Sequence, residues 1–94
     1  VGRRVAAVSE LPKLLRVAIG IRVRAHRKAQ EIGQEELADK VEIAPSQISR
    51  LEKGHSGGSV YVLLRLAWAF DVEPSDLLPD LDEVKAVFGK AGKW

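Results

Sequence analysis

Residues 34–54, Gln34-Glu35-Glu36-Leu37-Ala38-Asp39-Lys40-Val41-Glu42-Ile43-Ala44-Pro45-Ser46-Gln47-Ile48-Ser49-Arg50-Leu51-Glu52-Lys53-Gly54, decide how this chain folds. They spell two short helices. Glu35 and Glu36 complement the positive end of a helix that starts at Gln34 and reaches about Lys40, with Leu37, Ala38 and Val41 facing inward. Pro45 is preorganised for the first position of the next helix, which stops before Gly54. Only Glu42, Ile43 and Ala44 separate the two. The inward set is then Leu37, Ala38, Val41, Ile43, Ile48 and Leu51, with the small Ala38 placed where the helices cross closely. A generic helical hairpin would not require Ala38, so tight a turn and Ile48 together. Two short helices joined in this way form the geometry in which one braces another that lies in a DNA major groove.

Working outward, Ser9 is a good N-cap for a first helix, with Glu10 and Pro12 tolerated in its first turn and an end near Gln30. Leu11, Leu15, Ile19 and Val23 make its apolar stripe, and Gly20 lets a neighbouring helix come close. Beyond the loop His55–Gly58, Ser59 caps a fourth helix reaching about Phe70, and Pro74–Leu78 reads as a short fifth. Leu81, Val84 and Phe88 share one face, so residues 81–88 add a further turn or two. No stretch alternates with the period of a strand, and the expected class is all-α, a compact five-helix domain with a possible extra C-terminal helix. Ninety-four residues suffice for one core. We therefore expect a single domain over 1–94, with its core at about 10–78, an N-terminal arm over 1–9, and an extension over 79–94 that is a candidate dimerisation element.

With 46% apolar and 30% charged residues the composition is that of an ordinary globular protein. No 18-residue apolar run suggests a membrane span, and no secretory apolar region opens the chain, so a cytoplasmic location is the default expectation. Cysteine is absent, which excludes disulfides and thiolate chemistry. The net charge of +2 hides an asymmetry. Residues 1–30 carry eight basic groups (Arg3, Arg4, Lys13, Arg16, Arg22, Arg24, Arg27, Lys28) against Glu10, giving +7, and the remainder carries seven basic and twelve acidic groups, giving −5. A polyanion approaching from one side would favour such a distribution, and a solvated helix face would also explain it.

The chain resembles the phage-repressor, or Xre-type, helix-turn-helix family, whose domains have the lambda-repressor-like five-helix fold. The resemblance is carried by Ile19-Gly20-x-Arg22-Val23-Arg24-x-x-Arg27, Gln34-Glu35-Glu36-Leu37-Ala38 and Ile48-Ser49-Arg50-Leu51-Glu52-Lys53-Gly54. It continues through Ser59, Leu63, Leu66-Ala67-x-Ala69-Phe70-x-Val72 and Asp76-x-Leu78, about sixty residues in all. It implies a transcriptional regulator that binds double-stranded DNA, with Gln34 beside a phosphate and the exposed residues of the third helix on base edges. Phage repressor, restriction–modification controller and autoregulating antitoxin all fit.

A helical wheel leads to the same side chains. If Ala44, Ile48 and Leu51 point inward, then at about 100° per residue Ser46, Ser49, Arg50 and Lys53 point outward, with Pro45 and Gln47 on the flanks. Arg50 can make a bidentate contact to guanine and Gln47 to adenine, while either serine can meet a base or a phosphate. Glu52 falls only about 40° from the inward direction, so its carboxylate needs a partner, for which we name Arg27. The resemblance implies the same pair, orienting the reading helix rather than touching DNA.

This sequence departs from the family pattern at several places. Glu42 occupies a turn position usually held by Gly, where a left-handed backbone would cost roughly 1–2 kcal/mol. Gly33 and Ala44 replace the usual Ser or Thr caps, His26 stands where an apolar residue is common, and the loop His55-Ser56-Gly57-Gly58 lacks basic residues, so backbone N–H groups would have to meet phosphate there.

Two histidines in different segments, His26 and His55, cannot build a metal site, and no nucleophile is flanked by a base. No enzyme activity, metal or cofactor is expected. Helix four raises a different alternative. Its core face is Leu63, Leu66, Ala67 and Phe70, yet Tyr61, Leu64 and Trp68 form a second apolar stripe. Residues 1–14 or 81–94 could fold over that stripe, or it could be an interface, either of a homodimer on a palindromic operator or with a protein partner such as a toxin. In the latter case the chain would be an antitoxin or adaptor with DNA binding secondary.

Overall fold

The computed structural model describes residues 11–89. Its helices are α1 Lys13–Ala29, α2 Gln34–Val41, α3 Pro45–Glu52 and α4 Val60–Phe70, followed by a 3₁₀ turn over Pro74–Leu77 and by α5 Leu81–Gly89. No strand occurs among the described residues. The all-α expectation holds, the short fifth helix is a single 3₁₀ turn, and the extra C-terminal helix is α5.

α1 begins later than the sequence suggested. Pro12 occupies its N-cap without a side-chain hydrogen bond, and the Pro12 carbonyl accepts from Leu15 and Arg16 N–H at 3.0 and 3.1 Å. Leu11 precedes the helix and is exposed, so the buried stripe is Leu15, Ile19 and Val23. The proposed Ser9 cap, Glu10 and the arm 1–9 lie outside the described residues, as do residues 90–94 of the extension. His26, Arg27 and Lys28 fill the last turn, where positive charge meets the negative end of the helix dipole. His26 stacks on Phe70 with ring centroids 5.5 Å apart, which explains a polar residue at a position that the family fills with an apolar one.

Three helices end in the same way. Just beyond α2, α3 and α4 the chain turns left-handed at Glu42 (φ 62°), Gly54 (φ 78°) and Asp71 (φ 60°). The next N–H, of Ile43, His55 or Val72, then donates back to the carbonyl of Ala38, Arg50 or Ala67 at 3.0, 2.9 and 3.0 Å. Ile43 and Val72, carried inward by these turns, pack on the core. At Glu42 the strain anticipated from the sequence is therefore present, and Glu31 (φ 58°) adds a left-handed residue after α1 that the sequence reading did not foresee.

The core lies where α1 to α4 and the 3₁₀ turn converge. Val23, Leu37, Val41, Ile48, Leu66 and Leu77 are fully buried in it, with Ile19, Ala38 and Leu51 nearly so. Gly20 is the contact point of α1 with α3. A Cβ there would collide with the carbonyl oxygens of Leu51 and Glu52, coming within 2.7 Å of the latter. α5 is held differently, with no fully buried residue. Asp80 and Glu83 cap its start reciprocally, each side chain accepting the other's backbone N–H at 2.8 Å. Glu83 also accepts from Arg22 of α1 at 2.6 Å. No helix among the described residues is long and apolar enough to cross a membrane.

Candidate nucleic-acid interface

α3 is seated by Ile48 and Leu51, which are buried, and presents Pro45, Ser46, Gln47 and Arg50 to solvent, with its C-cap Lys53 exposed beside them. Two details differ from the helical wheel. Ala44 is exposed rather than inward, because it is the extended N-cap (φ −71°, ψ 142°) and the helical angle does not apply to it. Ser49 is half-buried rather than fully outward. Ala44 offers no side-chain acceptor to the first turn of α3, and only the other half of a capping box is made, Gln47 Oε1 accepting the Ala44 N–H at 3.4 Å. Arg50 extends along the C-terminal half of α3, its Nη2 3.4 Å from the His55 carbonyl oxygen.

Behind this face lies a charged network. Arg27 Nε donates to Glu52 Oε2 at 2.6 Å and Nη2 donates to Oε1 at 3.0 Å, a two-pronged contact that matches the guanidinium fork to the carboxylate. Side-chain exposure is 11% for Arg27 and 3% for Glu52, so the pair is shielded from water. Gln34 Nε2 adds a third bond to Glu52 Oε1 at 3.0 Å, and Arg27 Nη1 donates to the Ile32 carbonyl at 2.9 Å. Burial pushes the Glu52 carboxyl up, but the hydrogen bonds from Arg27 and Gln34 and the charges of Arg27 and Arg24 outweigh it and hold it below the usual carboxylate range. The Glu52 hydrogen bond keeps the Arg27 guanidinium more firmly protonated, against a smaller opposing effect of burial. One carboxylate thus ties α1, α2 and α3 together.

Gln34 stands at the first position of α2, so its amide nitrogen is committed to Glu52 while its backbone lies at the positive end of the helix. Its N-cap Gly33 supplies no side-chain acceptor to the first turn. Arg24, Arg27, Gln34, Glu52 and Lys53 together line a hollow of about 200 Å³ beside α3. In the sequence Arg24 counted among the basic residues of the first third and among the residues that carry the family resemblance, without a site role; its i−3 spacing from Arg27 on one helix face was the available signal.

On the other flank, the loop after α3 encloses a hollow of about 370 Å³ lined by Leu11, Arg16, Arg50, His55, Ser56, Gly57 and Gly58. Arg16 organises it by donating to the Gly54 carbonyl at 3.0 Å and the Leu11 carbonyl at 2.6 Å. The Gly58 N–H already donates to Ser56 Oγ at 3.0 Å, which removes one of the backbone donors that the loop could offer a phosphate.

Tyr61, Leu64 and Trp68 lie on the outer face of α4 at 63%, 48% and 67% exposure. α5, one of the covers considered for them, packs on α1. Together with Arg65 they line a hollow of about 370 Å³.

Residues 23–77, from the middle of α1 to the 3₁₀ turn, match the helix-turn-helix family. The chain belongs to that family, in its Xre or lambda-repressor-like branch, whose members are DNA-binding transcriptional regulators rather than enzymes. Among solved structures it is similar to the restriction–modification controller protein C.AhdI from Aeromonas hydrophila, with 35% identity over 67% of this chain and 96% of that one and a TM-score of 0.65. It is also similar to the P22 c2 repressor, crystallised with a synthetic operator, with 33% identity over 64% and 91% of the two chains and a TM-score of 0.62. ClgR, the clp gene regulator from Corynebacterium glutamicum, is 27% identical over 82% and 95%, with a TM-score of 0.64. A search of curated protein sequences found no match.

Proposed function

We propose that the chain regulates transcription as a two-fold homodimer on an inverted-repeat operator, with the outer face of α3 in the major groove. The observation that carries this reading is the two-sidedness of α3, whose Ile48 and Leu51 are buried while Ser46, Gln47, Arg50 and the C-cap Lys53 are exposed towards base edges and phosphates. Ser49 stands at the margin, and Pro45 and Gln34 approach the backbone, Gln34 with its helix N-terminus rather than its committed amide nitrogen. Arg27 and Glu52 hold the reading helix at a fixed angle to α1. The P22 c2 repressor's complex with an operator supports the assignment by likeness.

The dimer rests on the stripe Tyr61, Leu64 and Trp68, which is exposed among the described residues and which a second copy would cover isologously. The extension 79–94, whose described part exposes Leu81 at 65%, is the other candidate contact. The same stripe favours a second reading, a heterologous protein partner such as a toxin, with DNA binding secondary. Selection from a random duplex pool, followed by footprinting, separates the two. An inverted repeat with half-site centres about 34 Å apart supports the dimeric regulator. Protection of one asymmetric half-site refutes the dimer, and no enrichment at all favours the adaptor.

A further inference from the structure

Arg65 stands on α4 between two surfaces that are otherwise separate. On one side it lines the apolar hollow with Tyr61, Leu64 and Trp68. Its Nη1 donates to Tyr61 Oη at 3.0 Å, and its guanidinium carbon is 5.7 Å from the Tyr61 ring centroid. On the other side its Nε donates to the Val41 carbonyl at 2.9 Å, and Nη2 lies 3.5 Å from Glu42 Oε1. Val41 is the last residue of α2, and Glu42 is the left-handed residue that opens the turn into α3. A carbonyl at a helix C-terminus lacks an amide donor from its own helix, so a cation there both satisfies it and meets the negative end of the dipole. The planar guanidinium is rigid, so a shift of Tyr61 at one edge moves the donors at the other.

We propose that Arg65 is a positioning residue that relays the state of the outer α4 face to the turn before the reading helix. What packs on Tyr61, in the dimer proposed above a second copy of this chain, is thereby felt in the angle of α3. The effect on DNA binding rests on the reading of α3 given above; the effect on the turn does not. Linkage makes the coupling reciprocal, so DNA on α3 biases the face in the same measure.

The test is a double-mutant cycle in the full chain with Tyr61→Phe and Arg65→Lys. Phe keeps the ring and loses the hydroxyl acceptor. Lys keeps the charge and loses the fork that spans Val41, Glu42 and Tyr61. Helicity by circular dichroism establishes that each variant is folded. Two quantities are then measured, affinity for the preferred duplex and the backbone amide resonances of Glu42 and Ile43. Tyr61→Phe alone is expected to weaken duplex binding about threefold and to move both resonances, and in the Arg65→Lys background to do neither. An equal loss of affinity in both backgrounds would assign Tyr61 to the subunit contact and overturn the relay, as would resonances that stay put when the hydroxyl is removed. If the parent binds no duplex at all, the DNA reading fails by itself, and the amide resonances still decide the role of Arg65.

Discussion

Replacing Arg27 with alanine removes two of the three hydrogen bonds to a carboxylate that is 3% exposed, and leaves Glu52 charged with only Gln34 to solvate it. Breaking one side of a buried pair costs about 3–5 kcal/mol, and the surviving Gln34 bond places this case near about 3 kcal/mol. At about 4–8 °C per kcal/mol for a domain of this size, the midpoint of a thermal melt should fall by roughly 12–24 °C at neutral pH. The pH dependence supplies an independent sign. In the parent the Glu52 carboxyl is held below its unfolded value, so its contribution is present above the unfolded pKa and lost as pH falls through the folded one. In the variant burial is opposed only by the Gln34 hydrogen bond and the Arg24 charge, so the carboxyl rises from its position in the parent and acidification removes less stability than it does from the parent. The gap between the two proteins should therefore narrow as pH drops from 7 towards about 4. Arg27→Met combined with Glu52→Leu should recover most of the loss, short of the bond that Arg27 makes to the Ile32 carbonyl and the one that Gln34 makes to Glu52. An Arg27→Ala protein that melts with the parent, or a gap that stays constant with pH, would refute the buried-pair account.

Other perturbations separate the remaining parts of the structure. Glu42→Gly relieves the left-handed strain at φ 62° and gives up only a long contact to Arg65 from a side chain 76% exposed, so the melt should show a gain of about 0.5–1 kcal/mol; no gain would mean that the Arg65 contact outweighs the strain. Gly20→Ala drives a methyl into the Leu51 and Glu52 carbonyls, which are backbone and cannot swing away, and should cost about 1–3 kcal/mol by denaturant titration. A fully stable Ala variant would contradict the close crossing of α1 and α3. Glu83, held below the usual carboxylate range by hydrogen bonds from Arg22 and from the Asp80 N–H, fastens α5 to α1 in its ionised form. Its contribution is present above the unfolded pKa and fades as pH falls through the folded one. Glu83→Gln should speed amide exchange in α5 at neutral pH with α1 to α4 unchanged, and equal exchange in α5 would show that the pair is not what holds it.

The parts of the fold legible in sequence are those fixed by local chemistry. Pro45 and Gly54 bracket α3, Ser59 caps α4 by accepting the Val62 N–H at 3.1 Å, and Gly20 marks a crossing where no Cβ fits. The angular position of Glu52 was enough to predict a partner, because a carboxylate facing the interior is too costly to leave alone. Contacts between distant segments were less readable. Gln34 was expected beside a phosphate through likeness to a family, and nothing in residues 34–41 reveals that its amide meets Glu52. Arg22–Glu83 spans most of the chain, and Arg65 meets Val41 and Glu42 across the α2–α4 packing, so neither contact has a sequence spacing to announce it; only the Arg65–Tyr61 pair falls at a helical spacing of four. Ala44 was misplaced because a wheel extended one residue before a helix assigns an angle to backbone that is not helical. Leu11 failed for the same reason at the start of α1.

The central claim, that the outer face of α3 reads base edges, is tested most directly by Arg50→Ala. Arg50 is exposed and its only close partner among the described contacts is a 3.4 Å approach to the His55 carbonyl, so its removal should leave the melting temperature unchanged. Parent and variant are each given the same randomised duplex pool, and affinity and base preference are compared position by position. The account predicts a loss of about 1–3 kcal/mol on the preferred site, concentrated in relaxed discrimination at one base pair per half-site. A folded variant with full affinity and the same preference at every position would contradict it.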